Sequence, residues 1–579
     1  MKSGFREILG GGEFSATVAS HVRTASDGEP MQPSDVRRYR PLMNPDLPQH
    51  RASIAGKPIV VVGKDGDRPS TLDEVRDHLR RQPTFALLQA LGTLACHTES
   101  AENIPVIDNI PVTMHAIACL AFLAVESSND FRSSKRGIDQ AYMARLFDLF
   151  WHLPDPIRAG SLDSVNEFLV RMGDHQFIYQ SELRHQLPRM VLILRDIWPT
   201  VPKASGVSPL AAFKSATGLE WQDAVLLGVL CTAQSQPTGV IDPAKLLASD
   251  ADTNETVRRV FTKENWDLFC RWVSADYETI RSTGRNAAPP SPEYIQYRFN
   301  PLRLFPLIRP ALVMGPHPRD AVLLPVWRLL FERTTIGVYH TLSDLHNAGG
   351  GSNPFRNAFG HVFQEYVGRI MKESLAGVTV IPEWQYDSAT AKNVDSPDWI
   401  VVHPDGAVVV EVKQSSMFRE ARQWGDVASM RDDLKKTLVK AMQQLARFQE
   451  AINHSMKGTE RLHGLPLQLA VVSFDRIHFG NTVIRDALAE VVAAQGGTVP
   501  RIHVISVEEF EYLLGACTED SLFALLKRKQ EAESEDRLDF REWLTTTMKG
   551  KVIHSNSFLS AQYNQFYESY GFPPAEPLQ

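Results

Sequence analysis

The chain is poor in cysteine, lacks a long apolar run and carries no excess of positive charge, and each deficit excludes a class of protein. Five cysteines are scattered with no C-x-x-C pair, which argues against a disulfide framework or a zinc knuckle. The longest apolar run, residues 115–125, is too short to span a bilayer, and no apolar signal core follows the N-terminus. We therefore expect a soluble, cytoplasmic protein with no membrane partner.

The charge balance limits how the chain could contact nucleic acid. Its formal net charge is -7, so it is not a basic protein that wraps DNA or RNA over its whole surface. Any such contact would have to come from local stripes of lysine and arginine.

At 579 residues the chain is too long for one hydrophobic core. Its composition and predicted secondary structure divide it into four parts. Residues 1–70 are rich in Gly, Ser, Pro and Arg and predict a poorly structured arm. A Ser70 or Thr71 cap, with Glu74 following at capping-box spacing, opens a mainly helical recognition or partner domain over residues 71–343. Residues 344–520 predict an α/β domain, and residues 521–579 a charged helix and an aromatic tail. Helices of the second part are predicted at residues 142–152, 165–172, 184–197, 255–283 and 320–333.

The third part begins with a helix that has Pro354 at its first position, where Ser352 or Asn353 can cap it. Alternating strand and helix patterns follow it. Strands are predicted at residues 377–386, 398–403, 407–414, 467–474 and 501–506, and helices at residues 427–453 and 483–495. The predicted fold class is α/β, a mixed sheet flanked by helices that follows a large, mainly helical N-terminal region.

Between Asp398 and Lys413 the sequence predicts a two-stranded hairpin that carries carboxylates at both ends. Its turn, residues 403–406, has Pro at the second position and Gly at the fourth. If the first and last residues of the turn pair, Asp398 lies opposite Glu411, on the face that also carries Lys413. A bulge in the turn would instead put Asp398 opposite Val412.

The hairpin has the residues of a metal site. Glu411 interrupts an apolar strand, where an uncompensated charge costs on the order of several kcal/mol. Two carboxylates and an ammonium at one sheet edge can hold a hard divalent cation and position a water. The alternative is a structural ion pair among Asp398, Glu411 and Lys413. A third acid, Glu365, lies at the edge of the apolar stripe of the helix that begins at Pro354, and it either points to the hairpin or faces solvent.

These residues resemble the PD-(D/E)xK, or restriction-endonuclease-like, nuclease superfamily over residues 355–506. The resemblance implies that Asp398 and Glu411 ligate Mg²⁺, for which Mn²⁺ could substitute, with the Val412 carbonyl as a further ligand. It implies that Lys413 orients or activates the attacking water. Glu365 matches the acid that many members carry on their first helix.

The helix after the hairpin adds further candidates. Gln444 resembles the glutamine of the Gln-x-x-x-Tyr motif of the RecB-like branch, although Phe448 replaces the tyrosine and Gln443 is equally available. Basic residues form one stripe together with Gln443, at helical spacing, and the stripe is either a phosphate track or a solvated face. Its candidate nucleic-acid-binding residues are Lys436, Lys440 and Arg447.

The sequence therefore predicts a metal-dependent endonuclease that hydrolyses phosphodiester bonds, with DNA favoured as substrate. The resemblance also suggests a role in bacterial defence against phage. One such site cuts one strand, so double-strand cleavage would need a dimer or sequential nicking. The candidate protein partners are a second copy of the chain or a partner subunit. Two alternatives stay open: a nuclease that acts on RNA or tRNA, and a non-catalytic binding or scaffold subunit that keeps the fold.

Overall fold

The structure, a computed structural model, describes most of the chain between residues 69 and 572. The described ranges are residues 69–98, 106–108, 110–127, 137–154, 179, 183–247, 255–286, 292–347, 352–414, 438–475, 480–481, 485–494, 500–518, 520–547 and 555–572. The predicted arm over residues 1–70, apart from its last two residues, and the predicted helix at residues 165–172 lie outside these ranges.

The N-terminal region is mainly helical, as the sequence predicts. Its α-helices are α1 Leu72–Leu79, α2 Thr84–Cys96, α3 Met114–Glu126, α4 Gln140–Trp151, α5 Gln186–Val191, α6 Pro209–Thr217, α7 Trp221–Ser235, α8 Pro243–Leu247, α9 Glu255–Val260, α10 Lys263–Val273, α11 Tyr277–Asn286, α12 Trp327–Thr334 and α13 Gly337–Leu345. The predicted capping box is present, because Thr71 caps α1 and Glu74 bonds back to its backbone N–H. Among the described residues, no helix has both the length and the apolar character needed to cross a bilayer.

Two predicted helices of this region are interrupted by strands. Its strands are β1 Val106–Ile107, β2 Ile110–Pro111, β3 Val240–Ile241, β4 Ser274–Asp276, β5 Leu307–Arg309 and β6 Val322–Leu323. The last four form a small sheet in the order β3-β6-β5-β4. The predictions of single helices at residues 255–283 and 320–333 are therefore wrong, since β4 and β6 find pairing partners far away in the sequence, which local periodicity cannot reveal.

The C-terminal part contains seven described strands and eight described α-helices. Its strands are β7 Thr379–Pro382, β8 Gln385–Tyr386, β9 Val394–Asp395, β10 Trp399–His403, β11 Gly406–Lys413, β12 Leu467–Ser473 and β13 His503–Ser506; its helices are α14 Pro354–Ser374, α15 Lys440–Asn453, α16 Arg485–Ala494, α17 Val507–Ala516, α18 Leu522–Glu531, α19 Glu533–Asp536, α20 Phe540–Thr547 and α21 Ser557–Glu568. Five of the strands form a mixed sheet in the order β13-β12-β11-β10-β7. Strand β11 is central, antiparallel to β10 and parallel to β12.

Helices cover both faces of this sheet. Val408 and Val410 of β11 belong to the core cluster that includes α14, whereas Val409 belongs to the cluster that includes α15. Successive side chains of a strand point to opposite faces, so Glu411 and Lys413 lie on the α15 face. Asn353 caps α14 by accepting a hydrogen bond from the backbone N–H of Arg356 at 3.1 Å, with Pro354 at the first position, as the sequence predicts.

One hydrophobic core joins the N-terminal region to this sheet. It contains Trp221 of α7 and Phe359 of α14 together with Val410 of β11. The aromatic tail joins it too, since Phe566 and Tyr567 of α21 are both 2 % exposed and α21 packs against α5 and α14. The predicted division of the chain near residues 343–344 is therefore crossed by continuous apolar packing.

A buried charge pair lies at the centre of this junction. The Arg189 guanidinium of α5 donates two hydrogen bonds of 2.6 Å to the Glu511 carboxylate of α17. Tyr366 of α14 donates its hydroxyl to the same carboxylate at 2.6 Å. Burial alone would raise the pKa of Glu511, but the guanidinium and its hydrogen bonds outweigh burial and lower it. This carboxylate is therefore buried, ionised and fully satisfied.

We expect Arg189→Ala to lower the free energy of unfolding by about 3–5 kcal/mol, because it leaves a buried carboxylate without its partner. Chemical denaturation followed by circular dichroism measures this loss. Lys214→Ala is the control, since Lys214 forms an exposed pair with Glu220 and exposed pairs contribute little. Equal stability of the two variants would contradict the role assigned to Arg189.

Candidate functional site

The hairpin pairs in the register that the sequence predicts. His403 lies opposite Gly406, and the pairs continue without interruption to Trp399 opposite Val410. The alternative register with a bulge in the turn is therefore excluded, and the same register continued by one residue sets Asp398 opposite Glu411.

The turn is also held by a close approach to another helix. A Cβ at Gly406 would lie 2.4 Å from the Phe523 ring of α18 and 2.7 Å from the Pro466 carbonyl oxygen. No side chain fits there, so glycine at this position lets α18 pack on the end of the hairpin. The packing of α18 thus holds the hairpin from the end opposite the carboxylates.

Asp398 is fixed by a hydrogen bond across the hairpin. Its Oδ2 accepts the backbone N–H of Val412 at 2.6 Å. Burial raises the pKa of Asp398, and the charge of Glu383 raises it further, while Lys413 and the Val412 N–H oppose these effects. The carboxylate is held at the edge of the sheet with its charge only partly compensated.

Glu411 is the most strongly buried carboxylate of the hairpin. It is 1 % exposed, and its Oε1 accepts a short hydrogen bond from the Lys413 ammonium. Its Oε2 is buried and has no hydrogen-bond partner. Burial, followed by the neighbouring charge of Asp398, raises the pKa of Glu411. An acceptor oxygen left unpaired in this way is costly, and each such group in a native structure needs an explanation.

The peptide group of Val412 also faces the carboxylates. The carbonyl of the next residue, Lys413, points to β12, since it accepts the Phe474 N–H at 3.2 Å. Peptide groups alternate in direction along a strand, so the Val412 carbonyl points away from β12, to the side of Asp398. Asp398, Glu411 and this carbonyl offer the oxygen ligands that Mg²⁺ prefers, and the unpartnered Oε2 fits a cation.

A third acid comes from a bulge that sequence analysis missed. Trp399 pairs with Pro382, and Asp395 pairs with Gln385. Two residues lie between these pairs on one strand and three on the other, which defines a β-bulge at the position of Asp398. Glu383 lies on the facing segment, and its charge raises the pKa of Asp398.

Glu383 is exposed at the mouth of the site. Its pKa is raised, first by partial burial and then by the charge of Asp395. Pairing the predicted strand at residues 377–386 with the hairpin would have brought Glu383 next to Asp398. The predicted strand could therefore have pointed to Glu383, but the bulge that changes the direction of the chain beside Asp398 is not visible in the sequence.

The acid predicted on the first helix is Glu365. It is exposed on α14, and α14 packs on the sheet face opposite to that of Glu411. Its neighbour Gln364 is the residue that contacts the hairpin, because its carbonyl oxygen accepts the Trp399 Nε1–H at 2.9 Å. The exposure of Glu365 agrees with the alternative that this side chain faces solvent, and its role at the carboxylates stays a prediction.

Gln444 lies over the site face on α15. It is half-buried, and its Nε2 donates to the Ser396 carbonyl oxygen at 3.4 Å, whereas Gln443 is exposed. Gln444 thus holds the segment that leads into Asp398. Lys440 and Arg447 are both exposed on α15, and Lys436 lies outside the described residues.

Comparisons of the chain with protein-family models, with curated proteins and with solved structures give no match. Within the described ranges, no group of three or more His, Cys, Asp or Glu side chains is arranged to hold a metal ion. The candidate ligand set is therefore two carboxylates and one backbone carbonyl.

We expect Glu411→Gln to raise the free energy of unfolding in EDTA by about 1–3 kcal/mol, the scale of an unsatisfied buried polar group. Because folding raises the pKa of Glu411, the contribution of this residue to the free energy of unfolding is full at acid pH and is lost as the pH rises through the folded-state pKa. The gain from the substitution should therefore be larger at pH 9 than at pH 5, as denaturation at both pH values would show.

Glu511→Gln is the matched control, because it makes the same substitution at a buried carboxylate whose oxygens are paired. We expect this variant to lose stability. If Glu411→Gln also loses stability, Glu411 serves as half of a structural ion pair with Lys413, and the metal site is contradicted.

Proposed function

We propose that this chain is a divalent-metal-dependent nuclease that hydrolyses phosphodiester bonds, with DNA as the favoured substrate. The observation that supports the proposal is that the hairpin register and the hydrogen bond from the Val412 N–H set Asp398 beside Glu411, which keeps a buried, unpartnered oxygen. A protein that only needs stability does not gain from an unsatisfied carboxylate. A site that must bind a cation does.

The residues of the site divide the chemistry between them. Asp398, Glu411 and the Val412 carbonyl would hold Mg²⁺ or Mn²⁺. The ion would supply stabilisation of negative charge on the phosphate and a lowered pKa of a nearby water. Lys413, whose side chain is 24 % exposed, reaches both Glu411 and solvent. Its ammonium can therefore hold the attacking water and stabilise charge on a phosphate oxygen.

Two further residues organise this centre. Gln444 holds the Ser396 carbonyl and so positions the segment that carries Asp398. Glu383 adds a negative charge at the mouth, which favours a bound cation. We assign Gln444 a positioning role and Glu383 an electrostatic one, and we assign no contact with the cation to Glu365.

We expect wild-type protein to cleave nucleic acid in Mg²⁺ or Mn²⁺ and to be inactive in EDTA. Lys413→Ala should lose about 10²–10⁴-fold in rate, the usual contribution of a group that positions or transfers a proton. Plasmid DNA, single-stranded DNA, RNA and tRNA are incubated with each protein, and the products are separated on gels. All four substrates are needed because DNA and RNA share the phosphodiester group on which the site acts.

Lys527→Ala is the control for this experiment, since Lys527 is an exposed lysine on α18, and it should cleave at the wild-type rate. Equal cleavage by wild type and Lys413→Ala, or cleavage that persists in EDTA, would contradict the mechanism. Absence of cleavage of every substrate by wild type would favour a non-catalytic binding subunit.

Metal binding has its own readout in stability. A cation that binds only the folded state stabilises it by about 2.7 kcal/mol at one hundred times its dissociation constant. We expect Mg²⁺ or Mn²⁺ to raise the melting temperature of wild type but not of Glu411→Gln, measured by scanning fluorimetry at constant ionic strength. An equal rise in both proteins would show that the cation binds elsewhere.

A further inference from the structure

The end of β11 that carries Lys413 is held differently from the rest of the strand. The antiparallel ladder with β10 ends at Val410, whereas the parallel ladder with β12 continues to Lys413. On the β10 side, the Val412 N–H donates to a side chain, the Asp398 carboxylate. Because the ends of elements open more easily than their centres, the position of Lys413 depends on the other contacts that hold this end.

A tyrosine of the N-terminal region contacts this strand end. Gln414, the residue after Lys413, donates a short hydrogen bond from its Nε2 to the hydroxyl of Tyr339 on α13. Its Oε1 lies over α14, where a Cβ at Gly360 would be 3.4 Å away. Successive residues of a strand point to opposite faces, so Gln414 is held on the α14 face while Lys413 points to the site. The bond therefore fixes the strand from behind the site.

Tyr339 is itself firmly packed. It is fully buried, and its ring packs on Phe359 and Phe474, with ring centroids 4.7 Å and 5.2 Å apart. Phe474 reaches the same strand end, because its backbone N–H donates to the Lys413 carbonyl at 3.2 Å. Tyr339 thus supports the end of β11 in two ways, through its hydroxyl on Gln414 and through its ring on Phe474.

We propose that Tyr339 is a positioning residue, whose hydroxyl anchors the end of β11 through Gln414 and thereby sets where the Lys413 ammonium lies. The inference rests on the proposed nuclease function and adds to it that the N-terminal region completes the catalytic centre. Catalysis depends steeply on such placement, since a shift of about 1 Å can cost roughly 10²-fold in rate. Tyr339 touches neither the substrate nor the cation in this role.

The test compares wild type with Tyr339→Phe, which removes the hydroxyl and keeps the ring. Tyr142→Phe is the matched control, because the Tyr142 hydroxyl donates a hydrogen bond within the N-terminal region, to the His78 carbonyl at 2.6 Å. Gln414→Met removes the other partner of the bond and keeps a side chain of similar length. The double variant of Tyr339→Phe with Gln414→Met completes a double-mutant cycle.

Hydrogen exchange followed by mass spectrometry measures the anchoring, in EDTA and without substrate. We expect peptides that contain Val412 or Phe474 to exchange about 5-fold faster in Tyr339→Phe, the effect of one lost hydrogen bond on local opening. Peptides of the small sheet that β3 to β6 form should exchange as in wild type. Tyr142→Phe should leave exchange at the end of β11 unchanged.

Cleavage kinetics measure the positioning, with the nucleic acid that wild type cleaves fastest as substrate. We expect Tyr339→Phe to lower kcat in Mg²⁺ by about 10-fold and to leave KM near the wild-type value, because the lysine is displaced while the substrate-binding surface is unchanged. The double variant should be no slower than the slower single variant, since both substitutions break the same bond. Tyr142→Phe should keep the wild-type kcat.

The two measurements separate this inference from the proposed function. Unchanged exchange at the end of β11, or exchange that rises equally in all peptides, would show that Tyr339 supports only the fold. Faster exchange there with a wild-type kcat would show that the bond does not position Lys413, and the nuclease function would stand. If wild type cleaves no substrate, the proposed function fails and the positioning role fails with it, whereas the exchange result still decides whether Tyr339 anchors β11.

Discussion

The structure depends on one buried carboxylate that is completely satisfied. Glu511 of α17 receives two hydrogen bonds from Arg189 and one from Tyr366, so it ties α5 of the N-terminal region, α14 and the end of the sheet to one point. A buried ion pair is seldom worth more than a well-packed apolar replacement, but losing one partner is costly. The pair therefore joins α5 of the N-terminal region to α14 and α17 at one point.

Glu411 is the contrasting case, a buried carboxylate with one oxygen that has no partner. Both glutamates lie inside the protein, and burial acts on the pKa of each in the same direction. Their partners decide the difference. At Glu511 a bidentate guanidinium outweighs burial and lowers the pKa. At Glu411 the Lys413 ammonium does not outweigh the combined effect of burial and the repelling charge of Asp398. Natural proteins break the rules of polar satisfaction mainly at functional sites. The unsatisfied oxygen of Glu411 supports the candidate site because Asp398 and Lys413 lie beside it.

Much of the site could be read from local sequence. The turn residues 403–406 and the alternation of β11 set the register, and the register brings Asp398 level with Glu411. Side-chain chemistry narrowed the cap of α14 to Ser352 or Asn353, and the structure shows that it is Asn353. The role of Glu365 could not be decided from the sequence, because helical periodicity shows which residues are buried but not which sheet face the helix covers. Glu383 was missed because the bulge beside Asp398 depends on the pairing of β8 with β9. No local sequence pattern predicts that pairing.

What the sequence by itself determined is therefore the α/β character of the C-terminal part, the hairpin and its acid–acid–lysine set. These follow from periods of two and 3.6 residues and from turn residues with restricted backbone angles, all of which act within a few residues. Only the tertiary structure decided which helix lies on which face, and the small sheet that β3 to β6 build from distant segments. Those features arise from contacts between residues far apart in the chain, such as Arg189 with Glu511 and Trp198 with Phe355. They are set by the packing of whole surfaces, which no short stretch of sequence encodes.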